Sequence, residues 1–271
     1  MTDIEAKVER VFANLWSKYV SLNPEVEKIR DHFASLGTPV INDHIALRTF
    51  KHPKISKEVM AEEFIRLGYR VCESYRFEKK KLDAIHLEHS ISDHLPKVFI
   101  SELELEHLSE KAAAIVASVI EQIPDEATRA DGFSYSGVLW DRISVDEYQL
   151  LLKESEYAAW VCAFGYTANH FTVKVNELST FKSLSEVNSF LEEKGYLLNE
   201  VGGKIKGTPD VYLEQSSTLA HRLPVRFSDG TLEIPTVFYE FALRHRDSSG
   251  KEFSGFIADN ADKIFESTNA S

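Results

Sequence analysis

Three metal-capable side chains stand in otherwise apolar, strand-like settings. His44 opens the run Asn42-Asp43-His44-Ile45-Ala46-Leu47-Arg48. His170 opens a second, Asn169-His170-Phe171-Thr172-Val173. Glu240 lies inside Val237-Phe238-Tyr239-Glu240-Phe241-Ala242-Leu243, where a carboxylate is costly to bury unless positive charge meets it. Two neutral imidazoles and one carboxylate can make a facial triad, which leaves three positions open on an octahedral metal. Non-heme Fe(II) oxygenases use that set, and the open positions can take a bidentate 2-oxo acid and then O2. Zinc hydrolases also use two His and one Glu, in a tetrahedral site with water as fourth ligand. On residue types alone the set also binds Zn, Ni, Co or Mn.

Arg48 follows His44 by an even number of positions, so in a strand both side chains share a face. Their Cα atoms would lie roughly 13 Å apart. A guanidinium there could hold a substrate carboxylate through two parallel hydrogen bonds. His44 and His170 would then also contact that substrate. His221 and Arg226 precede the last strand and are candidates for the rim of the same pocket. His86 and His89 sit in Ile-His-Leu-Glu-His, and at most one faces the site, His86 being the better candidate with a structural role. Glu102 reads as an edge residue facing water.

These residues must be positioned by strands, and the sequence supplies them twice. Ile4, Val8, Val11, Phe12, Leu15 and Tyr19 recur at helical spacing over residues 3 to 21. Asn23-Pro24 starts a second helix that stops at Gly37. Residues 41 to 50 form a strand, Ser56 caps a helix ending at Gly68, and strands follow at 69–77, 82–89 and 97–105. A helix at 109–123, a loop-rich stretch to 143 and a capping box Ser144-x-x-Glu147 come next. The first plan then repeats. A strand at 169–176 leads to a helix capped by Ser183 that ends at Gly195. Strands are expected at 196–201, 205–207, 210–215, 225–227 and 234–245. His44 to Gly68 spans 24 positions (68 − 44) and His170 to Gly195 spans 25 (195 − 170), with Tyr next in both cases. Val98-Phe-Ile-Ser-Glu102 would close the first unit as Val237-Phe-Tyr-Glu240 closes the second.

The fold class expected is α+β: two β-α-β-β-β-like units forming a cupped mixed or antiparallel sheet, with added helices. One domain would cover 1–271. It would comprise an N-terminal helical layer (1–40), a first unit (41–105), a helical insertion (106–165), a second unit (166–258) and a C-terminal tail (259–271). Hydrophobic residues are 43% of the chain, enough for a core, and disorder is expected only at Glu266–Ser271. A net charge of −12 argues against a nucleic-acid partner. Cys72 and Cys162 read as reduced core residues. The N-terminus has no apolar signal core and no run reaches membrane length, so a cytoplasmic protein with no membrane contact is expected.

His44-x-x-x-Arg48, Asn169-His170-Phe171-Thr172 and Phe238-Tyr239-Glu240 resemble motifs of the 2-oxoadipate dioxygenase/decarboxylase family, also called hydroxyglutarate synthases. Some members of that family carry a hydrolase label. The resemblance runs from the first helices to about residue 258. It implies a fold related to the vicinal oxygen chelate superfamily, metal ligands at His44, His170 and Glu240, and a carboxylate-binding Arg48. It further implies Fe(II) as cofactor, and 2-oxoadipate and O2 converted to 2-hydroxyglutarate and CO2 in lysine catabolism. Longer members add a C-terminal segment to the pocket. The readings that compete with this are a Zn- or Ni-dependent hydrolase or isomerase on the same scaffold, and a non-catalytic small-molecule binding module.

Overall fold

Local signals decide where the elements begin. Ser56, Ser144 and Ser183 each accept a hydrogen bond from the backbone N–H three residues on, and each opens a helix. Asn23 Oδ1 accepts from the Glu25 N–H at 3.1 Å and starts the second helix. Gly68 and Gly195 end equivalent helices at φ +91° and +89°, a backbone region that side chains other than glycine rarely adopt. The structure is a computed structural model that describes residues 3–37, 39–92 and 94–268.

Helices α1 (Asp3–Leu22) and α2 (Glu25–Ser35) come first. The first unit is β1 (Asn42–Phe50), α3 (Lys57–Arg66), β2 (Tyr69–Phe77), β3 (Leu82–His89) and β4 (Lys97–Leu103). Helices α4 (Glu110–Glu121), α5 (Val145–Glu154) and α6 (Glu156–Phe164) separate it from the second unit. That unit is β5 (Ala168–Lys174), α7 (Leu184–Glu193), β6 (Lys206–Thr208), β7 (Leu213–Ser217) and β10 (Phe238–Arg244). A hairpin, β8 (Arg222–Arg226) and β9 (Thr231–Pro235), is inserted before β10, and α8 (Ala258–Ile264) follows it.

The large sheet has the order β2-β3-β4-β1-β5-β10-β7-β6. Each unit is a copy of the other about the seam. β1 runs parallel to β4 and β5 parallel to β10, while β1 and β5 pair antiparallel. The two halves of the expected α+β repeat are therefore present, side by side in one mixed sheet. Side chains alternate across it. Phe171 and Tyr239 point to one face, where Trp16 of α1 meets them at ring-centroid distances of 5.0 and 6.1 Å. Val8, Val11, Leu15 and Tyr19 of α1 are buried there, while Ile4 at the helix start stays exposed. The residues one position away, His170 and Glu240, necessarily face the other side.

Several expectations fail for local reasons. Residues 196–201 are not a strand; only Leu198 bridges Thr218. Asn199 turns the chain instead, its Oδ1 accepting from the Val201 N–H and its carbonyl accepting from Lys206 Nζ at 2.5 Å. The later strands shift accordingly to the bounds given above. Glu102 does not face water: it is buried, and its carboxylate accepts from the Lys57 N–H at 2.9 Å and from Lys57 Nζ at 2.6 Å. The expected tail is ordered through residue 268. Ser267 and Thr268 are buried, with Ser267 Oγ accepting from Asn199 Nδ2 at 2.8 Å and Thr268 Oγ1 bonded to Glu156. Their polar composition suggests disorder, but here each hydroxyl has a partner; residues 269–271 lie outside the described residues. Cys72 and Cys162 are free thiols, Cys72 exposed and not in the core. No helix among the described residues is long and apolar enough to cross a membrane.

Candidate metal centre

The register of the three central strands brings the predicted ligands together. His44 pairs with Thr172 and Glu240 pairs with Thr172, so the row His44–Thr172–Glu240 crosses β1, β5 and β10 on one face. His170 lies two residues earlier on β5, on the same face. The Thr172 hydroxyl, between its larger neighbours, lies 3.1 Å from His44 Nε2. His44 Nε2 lies 3.5 Å from Glu240 Oε1, and His170 Nε2 lies 3.3 Å from Glu240 Oε2. The three ligand atoms all fall within 4.8 Å of one another. A facial octahedral site with bonds of about 2.1 Å separates neighbouring ligand atoms by about 3 Å. The two His–Glu gaps exceed that by only a few tenths of an ångström.

Hydrogen bonds aim the imidazoles. His44 Nδ1 is 2.7 Å from Asp43 Oδ1, and His170 Nδ1 is 3.3 Å from Asn169 Oδ1. Both partners are acceptors, so Nδ1 carries the proton in each ring; the His170 Nε2 lone pair faces Glu240, and that of His44 accepts from the Thr172 hydroxyl at 3.1 Å. Burial, with His44 and Arg48 nearby, holds the His170 pKa well below the usual histidine range. The ring therefore stays neutral, as a metal ligand must.

Glu240 has the opposite difficulty. Burial pushes its pKa up, against the influence of His44 and a hydrogen bond from Gln215. Gln215 Nε2 donates to Oε1 at 2.7 Å, whereas Oε2 is buried and accepts no hydrogen bond. A buried carboxylate oxygen facing an imidazole lone pair is unfavourable unless a cation lies between them. The donor set, its spacing and this orphaned oxygen all fit a divalent metal.

Behind the ligands stands a second set that was not anticipated. Asp43 bonds Arg244 as well as His44: Arg244 Nε reaches Asp43 Oδ2 at 2.7 Å and Nη2 reaches Oδ1 at 2.8 Å. Burial alone would raise the Asp43 pKa, but Arg244 and His44 outweigh it and hold the carboxyl well below its ordinary range. A carboxylate next to His44 was visible in the sequence; its partner 201 positions away was not. Phe256 and Ile264, from the segment after β10, close over the site together with Phe99. The pocket they line is small, about 20 Å³.

Arg48 is on the predicted face, paired with Ser101 of β4, and is buried. Its guanidinium is 3.9 Å from Glu156 and 5.0 Å from the rings of both Tyr157 and Trp160. It lines a separate cleft of about 210 Å³ with Lys79–Lys81, Glu104 and Tyr157. His221 and Arg226 are not at this site. His221 lines a cleft with Glu25, Tyr196 and Leu219, and Arg226 ends an exposed hairpin strand. The hairpin swings both away, because β8 pairs with β9 alone. His86 is buried on the cup side, its Nδ1 2.7 Å from Tyr75 Oη, and His89 Nδ1 accepts from the Ser92 N–H in a turn.

Two other groupings of ligand-type residues occur among the described residues. In Cys72–His86–Glu88 the carboxylate is already held by Lys97 Nζ at 2.5 Å, and in Glu104–Glu106–His107 Glu104 is held by Arg76. Only the central triad presents an unsatisfied donor set.

Residues 11–252 match the model of the 2-oxoadipate dioxygenase/decarboxylase family. A curated relative from Oryza sativa subsp. japonica, named 2-oxoadipate dioxygenase/decarboxylase, chloroplastic/amyloplastic, is 36% identical over 95% of this chain and 78% of its own. The chain belongs to the 2-oxoadipate dioxygenase/decarboxylase family.

Crystal structures of similar proteins agree with the fold. A hydroxyglutarate synthase from Oryza sativa, solved in complex with 2-oxoadipate, superposes with a TM-score of 0.92 at 33% identity, over 100% of this chain and 94% of that one. A protein from Shewanella frigidimarina NCIMB 400 with a provisional hydrolase label is 47% identical, with a TM-score of 0.88 over 95% and 99% of the two chains. A Ralstonia eutropha JMP134 protein provisionally assigned to the glyoxalase superfamily shares the fold at 20% identity, with a TM-score of 0.77 over 92% and 85% of the two chains. The cupped sheet thus shares the fold of that protein, in keeping with what the family resemblance implied.

Proposed function

We propose that the protein is an Fe(II)-dependent enzyme that converts 2-oxoadipate and O2 to 2-hydroxyglutarate and CO2, a step of lysine catabolism. The observation that carries the metal part is Glu240, buried with Oε2 unmatched beside His170 Nε2 and with His44 Nε2 3.5 Å from its other oxygen. Family membership carries the substrate.

His44, His170 and Glu240 would hold the iron on one face. When bound, it would chelate the 2-oxo acid and activate O2 in the same place. The chain's own residues do the rest. Asp43 and Asn169 keep protons on the Nδ1 atoms and so keep both Nε2 atoms available. Gln215 fixes one Glu240 oxygen and leaves the other free to ligate. Arg48 is the catalytic residue outside the metal sphere. Its buried guanidinium binds the distal carboxylate and sets which end of the acid reaches the iron. Phe99 and Phe256 exclude water from the reacting end.

The test is O2 consumption. Protein prepared without oxygen is loaded with Fe(II) and given 2-oxoadipate in an electrode chamber, beside His170→Ala. Uptake in the native protein alone, with stoichiometric CO2 and 2-hydroxyglutarate, is the expected result. Uptake only with another 2-oxo acid would move the substrate. No uptake with any 2-oxo acid would overturn the oxygenase reading in favour of an O2-independent hydrolase or isomerase.

A further inference from the structure

Arg244 at the end of β10 is fully buried and uses each edge of its guanidinium for a different purpose. One edge grips Asp43, whose Oδ1 also takes the His44 Nδ1 proton at 2.7 Å. The other edge, Nη1, donates to the Phe253 carbonyl at 3.0 Å and the Gly255 carbonyl at 2.8 Å. The same cation lies 5.2 Å from the Phe256 ring, and that ring meets the His44 ring edge-on at 4.8 Å. One side chain therefore holds both the carboxylate that aims a metal ligand and the segment that roofs it.

On the proposed substrate the roof must move. A cavity of about 20 Å³ accommodates roughly one water-sized group. A six-carbon dicarboxylic acid requires Phe256 to move aside. When the segment 253–256 lifts, Arg244 loses two carbonyl acceptors and an aromatic neighbour. Its remaining partner is Asp43, and the fork that fixed Asp43 is no longer fixed at its other edge.

We propose that Arg244 is a positioning residue that couples closure of the 253–256 segment to the orientation of His44. The proposal rests on the metal reading above and adds that metal affinity and roof closure are linked through this one guanidinium. Linkage makes the effect reciprocal: whatever loosens the roof weakens the metal, and bound metal tightens the roof. A planar fork is needed, because an ammonium is a point charge that cannot serve both edges in fixed geometry. A purely structural ion pair would stabilise the fold without any such coupling.

Co2+ serves as the probe, followed by its visible absorption, with hydrogen exchange of the 253–256 amides read with and without the ion. In the native protein Co2+ should slow that exchange. Arg244→Lys keeps a cation against Asp43 and so keeps the fold. It should weaken Co2+ about tenfold, in the range found when outer-sphere partners of metal ligands are lost. Exchange of the 253–256 amides should rise, and Co2+ should no longer slow it. Should that variant fail to fold, Phe253→Ala, whose ring packs on Tyr212 at 6.1 Å, loosens the same segment from its far side. It should also weaken Co2+. A loosened segment with unchanged Co2+ affinity in the variant that folds overturns the coupling. Co2+ binding that persists in His170→Ala overturns the metal reading itself, and the coupling falls with it.

Discussion

The two halves of the sheet share a backbone plan and differ in what they put on it. His44 and His170 occupy equivalent strands, β1 and β5. Across from them on the parallel neighbours stand Lys97 and Phe238. Two residues further along lie Phe99 in the first half and Glu240 in the second. The counterpart of Glu240 is thus Phe99, not Glu102 as the motif match suggested. Four residues beyond each histidine the halves differ again. Arg48 is buried beneath α6, while Lys174 is partly exposed and bonded to Glu252 at 2.7 Å. Duplication supplies converging positions; single substitutions decide their chemistry. On the proposed reading, a carboxylate at Phe99 would take a fourth metal position. A phenyl ring there leaves three, the number that a chelating acid and O2 require.

The largest effect should come from removing the charge that sets the halves apart. Glu240→Gln removes the one anionic ligand while keeping its shape and its contact with Gln215. Metal affinity should fall by more than the roughly 10–100-fold that outer-sphere partners command. Metal-free stability should not fall, because the charge removed is one that burial disfavours. Calorimetric titration with Co2+ and a melting curve of the metal-free protein read the two quantities separately. A variant that loses stability without losing metal would mean that Glu240 serves the fold.

A smaller effect should separate Arg48 from Lys174. Arg48→Lys gives up the bidentate grip on a carboxylate, worth about 1.5–3 kcal/mol for bonds to charged groups. The KM for 2-oxoadipate should then rise about 10–100-fold, with kcat changed less. Lys174→Arg, its counterpart across the seam, should leave both constants within about twofold. Steady-state kinetics on the pair checks the asymmetry directly, and equal effects would remove Arg48 from the pocket.

Much of this was legible in the chain. The repeat, the serine caps and the strand positions of His44, His170 and Glu240 all follow from short-range patterns, because period-2 strands and capped helices write themselves locally. What stayed hidden is equally physical. Helix α6 is buried on every side, from Tyr157 to Phe164, so it has no polar phase to betray a helical period. Arg244 and Asp43 are far apart in sequence, and only the sheet order makes them neighbours. Phe256 and Ile264 carry no signal at all, since an apolar side chain over a metal site looks like any other. His221 and Arg226 were misplaced because a hairpin inserted before the last strand redirects them, and nothing local distinguishes a hairpin pairing with itself from one joining the main sheet.

The smallest effect tests the register itself. If Glu102 were the counterpart of Glu240, altering it would disturb the cup. In the structure Glu102 instead receives the first backbone N–H of α3 and the Lys57 ammonium, an anion at a helix N-terminus. Glu102→Gln retains an acceptor for the backbone N–H but drops the charge that Lys57 meets within a buried pair. A loss of about 2 kcal/mol in unfolding free energy is expected, the scale of a hydrogen bond to a charged group. Co2+ affinity and the KM for 2-oxoadipate should both be unchanged, because Lys57 and α3 lie outside the ligand set. Denaturant melts beside a Co2+ titration separate the two outcomes. A weakened metal with an intact melt would restore the sequence alignment of Glu102 with Glu240 and undo the pairing of Phe99 with it.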